Sequence, residues 1–335
     1  MAQSTTYNVA GDREDLTDFL TILEPEDTPK LSTFAKNGTQ TNTYHEWQMD
    51  TLGNVDFSGV IEGQDVVSYN NESVNRARVG NYVQKFRVPW MVSDLQEASD
   101  PAGISNEVAQ SKTKAMREIK RSIEAAIGSD NEMQQDNGTV PWLFRGLGKW
   151  IQATAQATNP VPTLFLTPSA SIDTTATGSL TESAFNDVFQ SIFQVVGGRR
   201  NYQLYAGPSL KRAISNFQRV TGTSGTTKTY QVTQNADEHQ IDLNVTVYEG
   251  DFHTVTIVPD LFNGILTGAS VTSTTNQQKA RGYVIDPNLV GLSYMIGMAS
   301  EELPNMGGGR RGFVNAALTL TVKNPKGLGK FSATS

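Results

Sequence analysis

The sequence predicts an α+β fold, in which a few helices are segregated from strand-rich stretches. Residues 104–128 carry a long apolar stripe at helical spacing, whereas several other segments alternate apolar and polar residues at the period of a β-strand. No internal repeat is visible at any period, so a solenoid or a propeller is not expected.

Composition narrows the class of protein. The chain has 335 residues, of which 37% are hydrophobic, enough for a substantial core. Its 27 basic and 34 acidic residues give a net charge of -7, which argues against a dedicated nucleic-acid binder. It has no cysteines, so disulfides and thiolate chemistry are excluded. Membrane-length apolar runs and a secretory signal are both missing. We therefore expect a soluble protein made in the cytoplasm, without a membrane partner.

The first 40 residues are predicted to form an extended arm. Leu16, Phe19, Leu20 and Leu23 have the spacing of one face of a short helix over 12–23. The prolines at positions 25 and 29 then disfavour helix. Such an arm cannot bury itself, so we expect it to lie on another surface.

A long projecting hairpin is predicted next. Residues 41–49 and 82–90 alternate as strands do, and a long stretch that we interpret as polar separates them. An isolated hairpin is marginally stable in water, so this one is expected to have a partner.

The strongest predicted helix runs from Ile104 to Gly128, with Ser105 as N-cap and Gly128 as its stop. It would be about 37 Å long, and long helices of this kind are architectural more often than catalytic. Its expected apolar stripe is Ile104, Val108, Ala115, Ile119, Ile123, Ala126 and Ile127.

Further elements follow in order. A helix is predicted over 182–196, with Thr181 as N-cap and Gly197 as its stop. A strand at 203–206, a helix beginning at Pro208 and strands near 243–247 and 255–257 come next. The clearest strand is 314–323, and the tracts 221–229 and 268–278 are predicted loops.

A search for chemistry finds no site. His45, His239 and His253 have no metal-binding spacing; we expect His45 to be structural in a strand and the other two to be solvated. Gly307–Gly312 resembles a phosphate loop, but it lacks the lysine–hydroxyl pair and precedes a strand. We expect no catalytic residue, no cofactor and no metal.

Several phrases, in this order and spacing, carry a family resemblance. They are Glu24–Ser32 (EPEDTPKLS), Tyr44–Trp47 (YHEW), Ile61–Gly63 (IEG), Glu118–Ala126 (EIKRSIEAA), Gly146–Trp150 (GLGKW), Tyr205–Arg212 (YAGPSLKR) and Val247–Phe252 (VYEGDF). Together they make the chain similar to the major capsid (major head) proteins of tailed bacteriophages with the Hong Kong 97-type fold, over about residues 20–324.

The resemblance implies an assignment of parts. It gives an N-terminal arm at 1–50, an extended loop at 51–82, a peripheral domain at 83–179 with a spine helix at 104–128, an axial domain at 180–290, and at 291–335 a return to the peripheral domain with the C-terminal strand.

The resemblance also implies a function without catalysis. The protein would self-assemble as hexamers and pentamers into the icosahedral virion head that encloses phage DNA, in the host bacterial cytoplasm. Expected partners are further copies of the chain, portal and scaffolding proteins and, as an open option, a decoration protein; packaged DNA would be touched only non-specifically. The alternatives are an encapsulin-like cellular compartment shell, which uses the same fold, and an enzyme with an unfamiliar site, which the empty motif search disfavours.

Charge distribution suggests one subunit interface. The proposed extended loop carries Glu62 and Asp65 without a basic residue before Arg76. The resemblance implies that this loop lies across a neighbour near its spine helix, where opposite charges would fix register. The basic residues expected to meet it are Lys112, Lys114, Arg117 and Arg121.

Overall fold

The computed structural model describes residues 22, 24, 26–53, 55–69, 71, 73–99, 103–221, 228–230, 245–264 and 280–332. The helix expected over 12–23, His239, Leu243 and the tract 268–278 lie wholly or largely outside these residues.

In these parts of the chain the α-helices are α1 (Pro29–Thr33), α2 (Asp94–Ala98), α3 (Glu107–Ile127), α4 (Leu147–Trp150), α5 (Glu182–Val196) and α6 (Pro208–Ser215). The strands are β1 (Ala35–Thr39), β2 (Tyr44–Met49), β3 (Ala77–Tyr82), β4 (Gln84–Val92), β5 (Ile172–Asp173), β6 (Arg200–Ala206), β7 (Arg219–Thr221), β8 (Lys228–Tyr230), β9 (Val247–Glu249), β10 (His253–Pro259), β11 (Arg281–Ile285), β12 (Val290–Leu303), β13 (Arg310–Val322) and β14 (Gly329–Ser332).

Two sheets organise the molecule. A four-stranded sheet has the order β1-β12-β13-β4, and a six-stranded sheet has the order β5-β14-β11-β6-β10-β9. β1 runs parallel to β12, β6 to β10 and β5 to β14, while the other neighbours in these sheets are antiparallel. Separate two-stranded ribbons are formed by β2–β3 and by β7–β8. Mixed sheets with separate helices confirm the α+β prediction.

Helix α3 packs its apolar stripe on the four-stranded sheet, against β4 and β13. Ile119, Ile123 and Ile127 are completely buried in this core. The helix has 21 residues, about 31 Å at 1.5 Å per residue. Helix α5 covers the six-stranded sheet in a second core, where Phe185 stacks on Phe331 with ring centroids 5.4 Å apart.

The ends of α3 partly differ from the prediction. The N-cap is Asn106, whose side-chain oxygen accepts a hydrogen bond from the Ala109 amide at 2.9 Å; Ser105 lies one residue too early to cap this first turn. The helix does stop at Gly128, but with a negative φ of -79°. Glycine is required there because a Cβ would lie 2.3 Å from the Phe262 carbonyl oxygen.

The second strand of the hairpin differs from the prediction. β2 pairs with β3, from Tyr44 opposite Tyr82 to Met49 opposite Ala77. The alternating segment at 82–90 instead forms β4, which pairs with β13 and buries Phe86 and Trp90. The alternation therefore correctly predicts a strand, but that strand belongs to a different sheet.

Two strands of the four-stranded sheet differ in detail from expectation. β13 begins at Arg310, earlier than predicted, and its polar positions Asn315, Thr319 and Thr321 are buried as well as its apolar ones. It lies between β12 and β4, so both of its edges are paired. β12, its 14-residue neighbour, is not among the predicted strands, because its residues lack a continuous two-residue alternation.

Candidate subunit-contact surfaces

The β2–β3 loop, residues 50–76, exposes many large apolar side chains. Phe57 is 96% exposed and Leu52 93% exposed, whereas monomeric soluble proteins rarely leave a large contiguous apolar surface uncovered. This stretch is thus less polar than its interpretation from the sequence, and its apolar residues lack cover within the described part of the chain. They are Leu52, Val55, Phe57, Val60, Ile61, Val66, Val67, Tyr69 and Val74.

The base of this loop is held by exposed ion pairs. Arg76 contacts Asp50 at 3.1 Å, and Arg78 contacts Glu46 at 3.0 Å. Exposed pairs of this kind contribute only ~0–1 kcal/mol each. The ribbon β2–β3 therefore fixes where the loop leaves the molecule, while the rest of the loop stands away from both cores.

Glu62 and Asp65, the acidic residues singled out in the sequence, lie on this exposed loop. Neither forms an ion pair with a described residue. Between them, Gly63 occupies a turn with φ +80°, and the Gln64 amide donates to the Ile61 carbonyl at 3.1 Å. The turn presents both carboxylates to solvent.

The basic residues singled out on α3 are mostly paired within their own chain. Lys112 forms an ion pair with Glu302 and lies 5.1 Å from the centre of the Trp90 ring. Arg117 pairs with Glu26 at 2.9 Å, and Arg121 pairs with Glu24. Lys114 is exposed and has no ion pair with a described residue.

The described residues of the arm at positions 22, 24 and 26 therefore lie beside α3 of their own chain. A shallow cleft between arm and helix is lined by Ile22, Glu24, Glu26, Lys114, Arg117, Glu118 and Arg121. Acidic and basic side chains alternate along it, so their charges largely cancel. The sequence pattern shows the positive charge of the helix but not the arm carboxylates that neutralise it.

A buried charged cluster joins the arm to the rest of the molecule. The Lys30 ammonium pairs with Asp260, lies 3.4 Å from Glu124 and donates to the Asn263 side-chain oxygen at 3.1 Å. Glu124 also accepts hydrogen bonds from the backbone amides of Lys30 and Leu31, at 2.9 and 2.8 Å. Burial raises the pKa of Glu124, an effect that the Lys30 charge opposes.

No sequence signal points to this cluster. Lys30 and Glu124 stand in two of the phrases that carry the family resemblance, but they are 94 positions apart. Asp260 follows β10, and its other carboxylate oxygen accepts from the Phe262 amide at 2.8 Å. The cluster thus ties the arm to the spine helix and to the six-stranded sheet.

His253, expected to be solvated, is buried, with only 1% of its surface exposed. It stacks on Phe189 with ring centroids 3.9 Å apart. Burial, assisted by the nearby positive charge of Arg199, lowers the pKa of His253 to about 4. Its position at the start of β10 turns it into the core beside α5. His45 is half-buried in β2, where its ring lies 5.4 Å from that of Trp47.

The described residues include no cluster of three or more potential metal ligands. Nor does any helix among them have the length and apolar character needed to cross a membrane. Two surfaces are candidates for contact between subunits, namely the β2–β3 loop and the described arm residues beside α3.

Solved structures with a similar fold carry phage and capsid titles. One titled "Mycobacterium phage Cain" matches with a TM-score of 0.60 and 12% identity, covering 99% of this chain and 99% of that chain. "Asymmetric unit of bacteriophage PhiM1 mature capsid" matches with a TM-score of 0.57 and 12% identity, covering 98% and 92%. "Capsid of empty GTA particle computed with C5 symmetry" matches with a TM-score of 0.58 and 12% identity, covering 98% and 97%. The fold is thus the Hong Kong 97-type capsid fold.

The chain belongs to the SU10 major capsid protein family, whose sequence model matches residues 2–335. It is a phage major capsid protein, and its copies build the shell of the virion head. A search of curated proteins finds no significant match. The encapsulin-like alternative receives no support from these comparisons.

Proposed function

We propose that this protein assembles as hexamers and pentamers into a closed icosahedral head around phage DNA, and that it does so without catalysis. The observation that carries the proposal is the β2–β3 loop, whose apolar residues are more than half exposed in the single chain. Such a loop is stabilised when another copy covers it. Portal and scaffolding proteins are proposed as further partners in the host cytoplasm, a decoration protein remains an open option, and DNA contact is non-specific.

The proposed domains are those that the resemblance implies, with one change in the boundaries of the axial domain. Helix α3 and the four-stranded sheet correspond to the peripheral domain, and the six-stranded sheet to the axial domain. Because β5 at 172–173 and β14 at 329–332 pair into the six-stranded sheet, the axial domain would include them. The arm at 1–50 and the extended loop at 51–82 remain as assigned.

A contact between the acidic loop and the basic helix of a neighbour is one of two proposed seats for the loop; the other is a groove lined by Lys36 and Lys120. Glu62 and Asp65 of one copy would face Lys112, Lys114, Arg117 and Arg121 of a neighbour. Lys112, Arg117 and Arg121 are already ion-paired within the chain. Lys114 would therefore be the member of this set whose charge no described carboxylate neutralises. If the loop lies against this helix, reversing Lys114 and Arg117 to Glu impairs assembly, and Glu62→Lys with Asp65→Lys partly restores it.

Electron microscopy of the purified protein tests assembly itself. We expect closed shells with sixfold and fivefold capsomers, and we expect this chain to be the most abundant protein of purified virions. Its presence only in tails, or only in infected-cell lysate, would contradict the proposal.

A further inference from the structure

A second groove, lined by different residues from the neutralised cleft, lies where the arm meets β12. Residues of the arm, β1, α3 and β12 line this open groove, and its volume is about 680 Å³. Its lining combines apolar, neutral polar and basic side chains, notably Leu31, Ser32, Lys36, Lys120, Tyr294 and Met298. We refer to it as the arm groove.

The arm groove is positively charged. Lys36 and Lys120 line it, and among its described lining residues there is no carboxylate. Neither lysine forms an ion pair with a described residue. The Lys36 ammonium instead lies 6.0 Å from the centre of the Tyr294 ring. The groove thus keeps the basic charge that the neighbouring cleft has lost to Glu24 and Glu26.

The groove lies beside an irregular segment of β12. The register of β12 against β13 shifts twice, between Tyr294 and Ile296 and between Ile296 and Ala299. Gly297 lies in this irregular segment, and a Cβ added there would meet nothing within 4 Å. On the other side, β1 ends where the Gln40 amide donates to the Tyr294 carbonyl at 2.8 Å. The pairing of β1 with β12 ends at Tyr294, and the described part of the chain leaves open space beside the segment that follows.

The β2–β3 loop has the complementary chemistry. Between positions 51 and 75 it carries Asp56, Glu62, Asp65 and Glu72 and no basic residue. Its exposed apolar side chains, such as Phe57, need an apolar surface. An acidic segment with apolar side chains matches a basic groove with an apolar floor, since complementary charge fixes register while apolar contact supplies most of the binding free energy.

We propose that the arm groove is the seat for the β2–β3 loop of a neighbouring copy, with the loop carboxylates against Lys36 and Lys120 and its apolar side chains on Leu31, Tyr294 and Met298. The inference rests on the proposed function, because it requires assembly and a loop that reaches a neighbour. Of the two proposed seats, it favours the arm groove over the neutralised cleft beside Lys114.

Engineered disulfides test this seat cleanly, because the chain contains no native cysteine. Ser32→Cys places a thiol in the arm groove, and Lys114→Cys places a matched control thiol in the neutralised cleft. Each is combined with Ser58→Cys, Ile61→Cys or Val66→Cys on the loop. Assembled shells are oxidised and then run on a denaturing gel without reductant, beside each single-cysteine variant.

We expect at least one pair with Ser32→Cys to lose its monomer band to multimers, while the pairs with Lys114→Cys stay monomeric. Crosslinking through Lys114→Cys alone would overturn the groove but keep the loop-to-neighbour contact. Shells in which neither position crosslinks would overturn the contact as well, and absence of wild-type shells would overturn the proposed function.

Charge variants give an independent readout should a cysteine pair fail to assemble. We expect the double variant Lys36→Gln with Lys120→Gln to form shells more slowly than wild type, with an assembly rate that depends less on salt. Lys114→Gln is expected to change the rate and its salt dependence much less. Equal effects of the two sets of variants would contradict a special role for the arm groove.

Discussion

At the scale of single residues, Lys30 connects parts of the chain that are distant in sequence. Its side chain is completely buried, yet it contacts two carboxylates and one amide oxygen. A buried ammonium is tolerated only when its hydrogen bonds are satisfied, because desolvation of an unpaired charge costs several kcal/mol. Lys30 therefore anchors the arm to α3 and to the segment after β10, a few residues before β1 begins.

Replacing Lys30 by Ala should destabilise the chain strongly. Glu124 and Asp260 would be left buried without their cation, a change that costs ~3–5 kcal/mol. Chemical denaturation of the unassembled protein measures it, with Lys36→Ala, an exposed lysine of the same arm, as the matched control within about 0.5 kcal/mol of wild type. A loss below about 1 kcal/mol for Lys30→Ala would mean that the cluster is not formed in solution.

His253 should make the fold sensitive to acid. Its pKa of about 4 in the folded chain lies below the usual value of 6.5. Between these values only the unfolded chain takes up the proton. The contribution of His253 to the free energy of unfolding is therefore fully present above pH 6.5 and is lost as the pH falls toward 4, by up to about 3 kcal/mol.

The comparison with His253→Phe isolates this contribution. Phenylalanine can keep the stacking on Phe189 but cannot titrate, so its free energy of unfolding should change less between pH 6.5 and 4. Parallel pH dependences for the two proteins would show that His253 is solvated, as expected from the sequence. Buried carboxylates such as Glu124 titrate in both proteins and cancel in the difference.

At the scale of elements, α3 is the structural axis on which the four-stranded sheet and the arm meet. Ala115 lies near its middle and is 3% exposed against the sheet. Ala115→Pro would remove a backbone hydrogen bond and clash with the preceding turn, at a cost of ~3 kcal/mol or more. We expect insoluble or unassembled protein.

Glu107→Pro is the matched control for this variant. Glu107 is the first residue of α3, after the Asn106 cap, and proline is well tolerated at the first helical position. Soluble protein that assembles like wild type is expected from Glu107→Pro. The same result from Ala115→Pro would show that α3 is not required for the fold.

Elements with local signals are predictable from the sequence, and elements defined by distant partners are not. Helix α5 has its predicted bounds because Thr181 caps the Ala184 amide at 3.2 Å and Gly197 takes φ +73°. β3 escapes prediction because glycine and asparagine at positions 80 and 81 interrupt its alternation. Gly80 is needed there because a Cβ would lie 2.6 Å from the His45 carbonyl oxygen of the partner strand.

The proposed contact between the acidic loop and the basic helix is also only partly predictable from the sequence. Its acidic half, Glu62 and Asp65, is evident from the sequence, because the loop that carries them has no basic residue before Arg76. Its basic half is not, because Glu24 and Glu26 reach their arginine partners on α3 from 97 and 91 positions away. Pairing between distant residues decides which charges stay free, and composition along one helix does not reveal it.

At the scale of the whole molecule, we expect the β2–β3 loop to be needed for assembly of the shell but not for folding of the chain. Phe57 and Ile61 lie outside both cores and are 96% and 76% exposed. Phe57→Ser with Ile61→Ser should therefore leave the free energy of unfolding within about 0.5 kcal/mol of wild type, while shells fail to form because the apolar contact with a neighbour is lost.

Size-exclusion chromatography and electron microscopy measure this separation. Thr51→Ser, at the base of the same loop, is the control and should assemble normally. Normal shells from the double variant would contradict an apolar role for the loop, and an unfolded double variant would contradict its independence from the cores.

The assembled shell should be held together without covalent bonds between subunits. An isopeptide bond needs a lysine with a free electron pair beside an asparagine and a suitably placed carboxylate. The described contact of this kind, Lys30 with Asn263 at 3.1 Å, lies within one chain. Its lysine is ion-paired with Glu124 and Asp260, and an ammonium held in this way has no free electron pair for attack. Boiled shells should run as a single band near 36.5 kDa, with the intact mass of the unmodified chain; a ladder of multimers, or a mass lower by one ammonia, would contradict this.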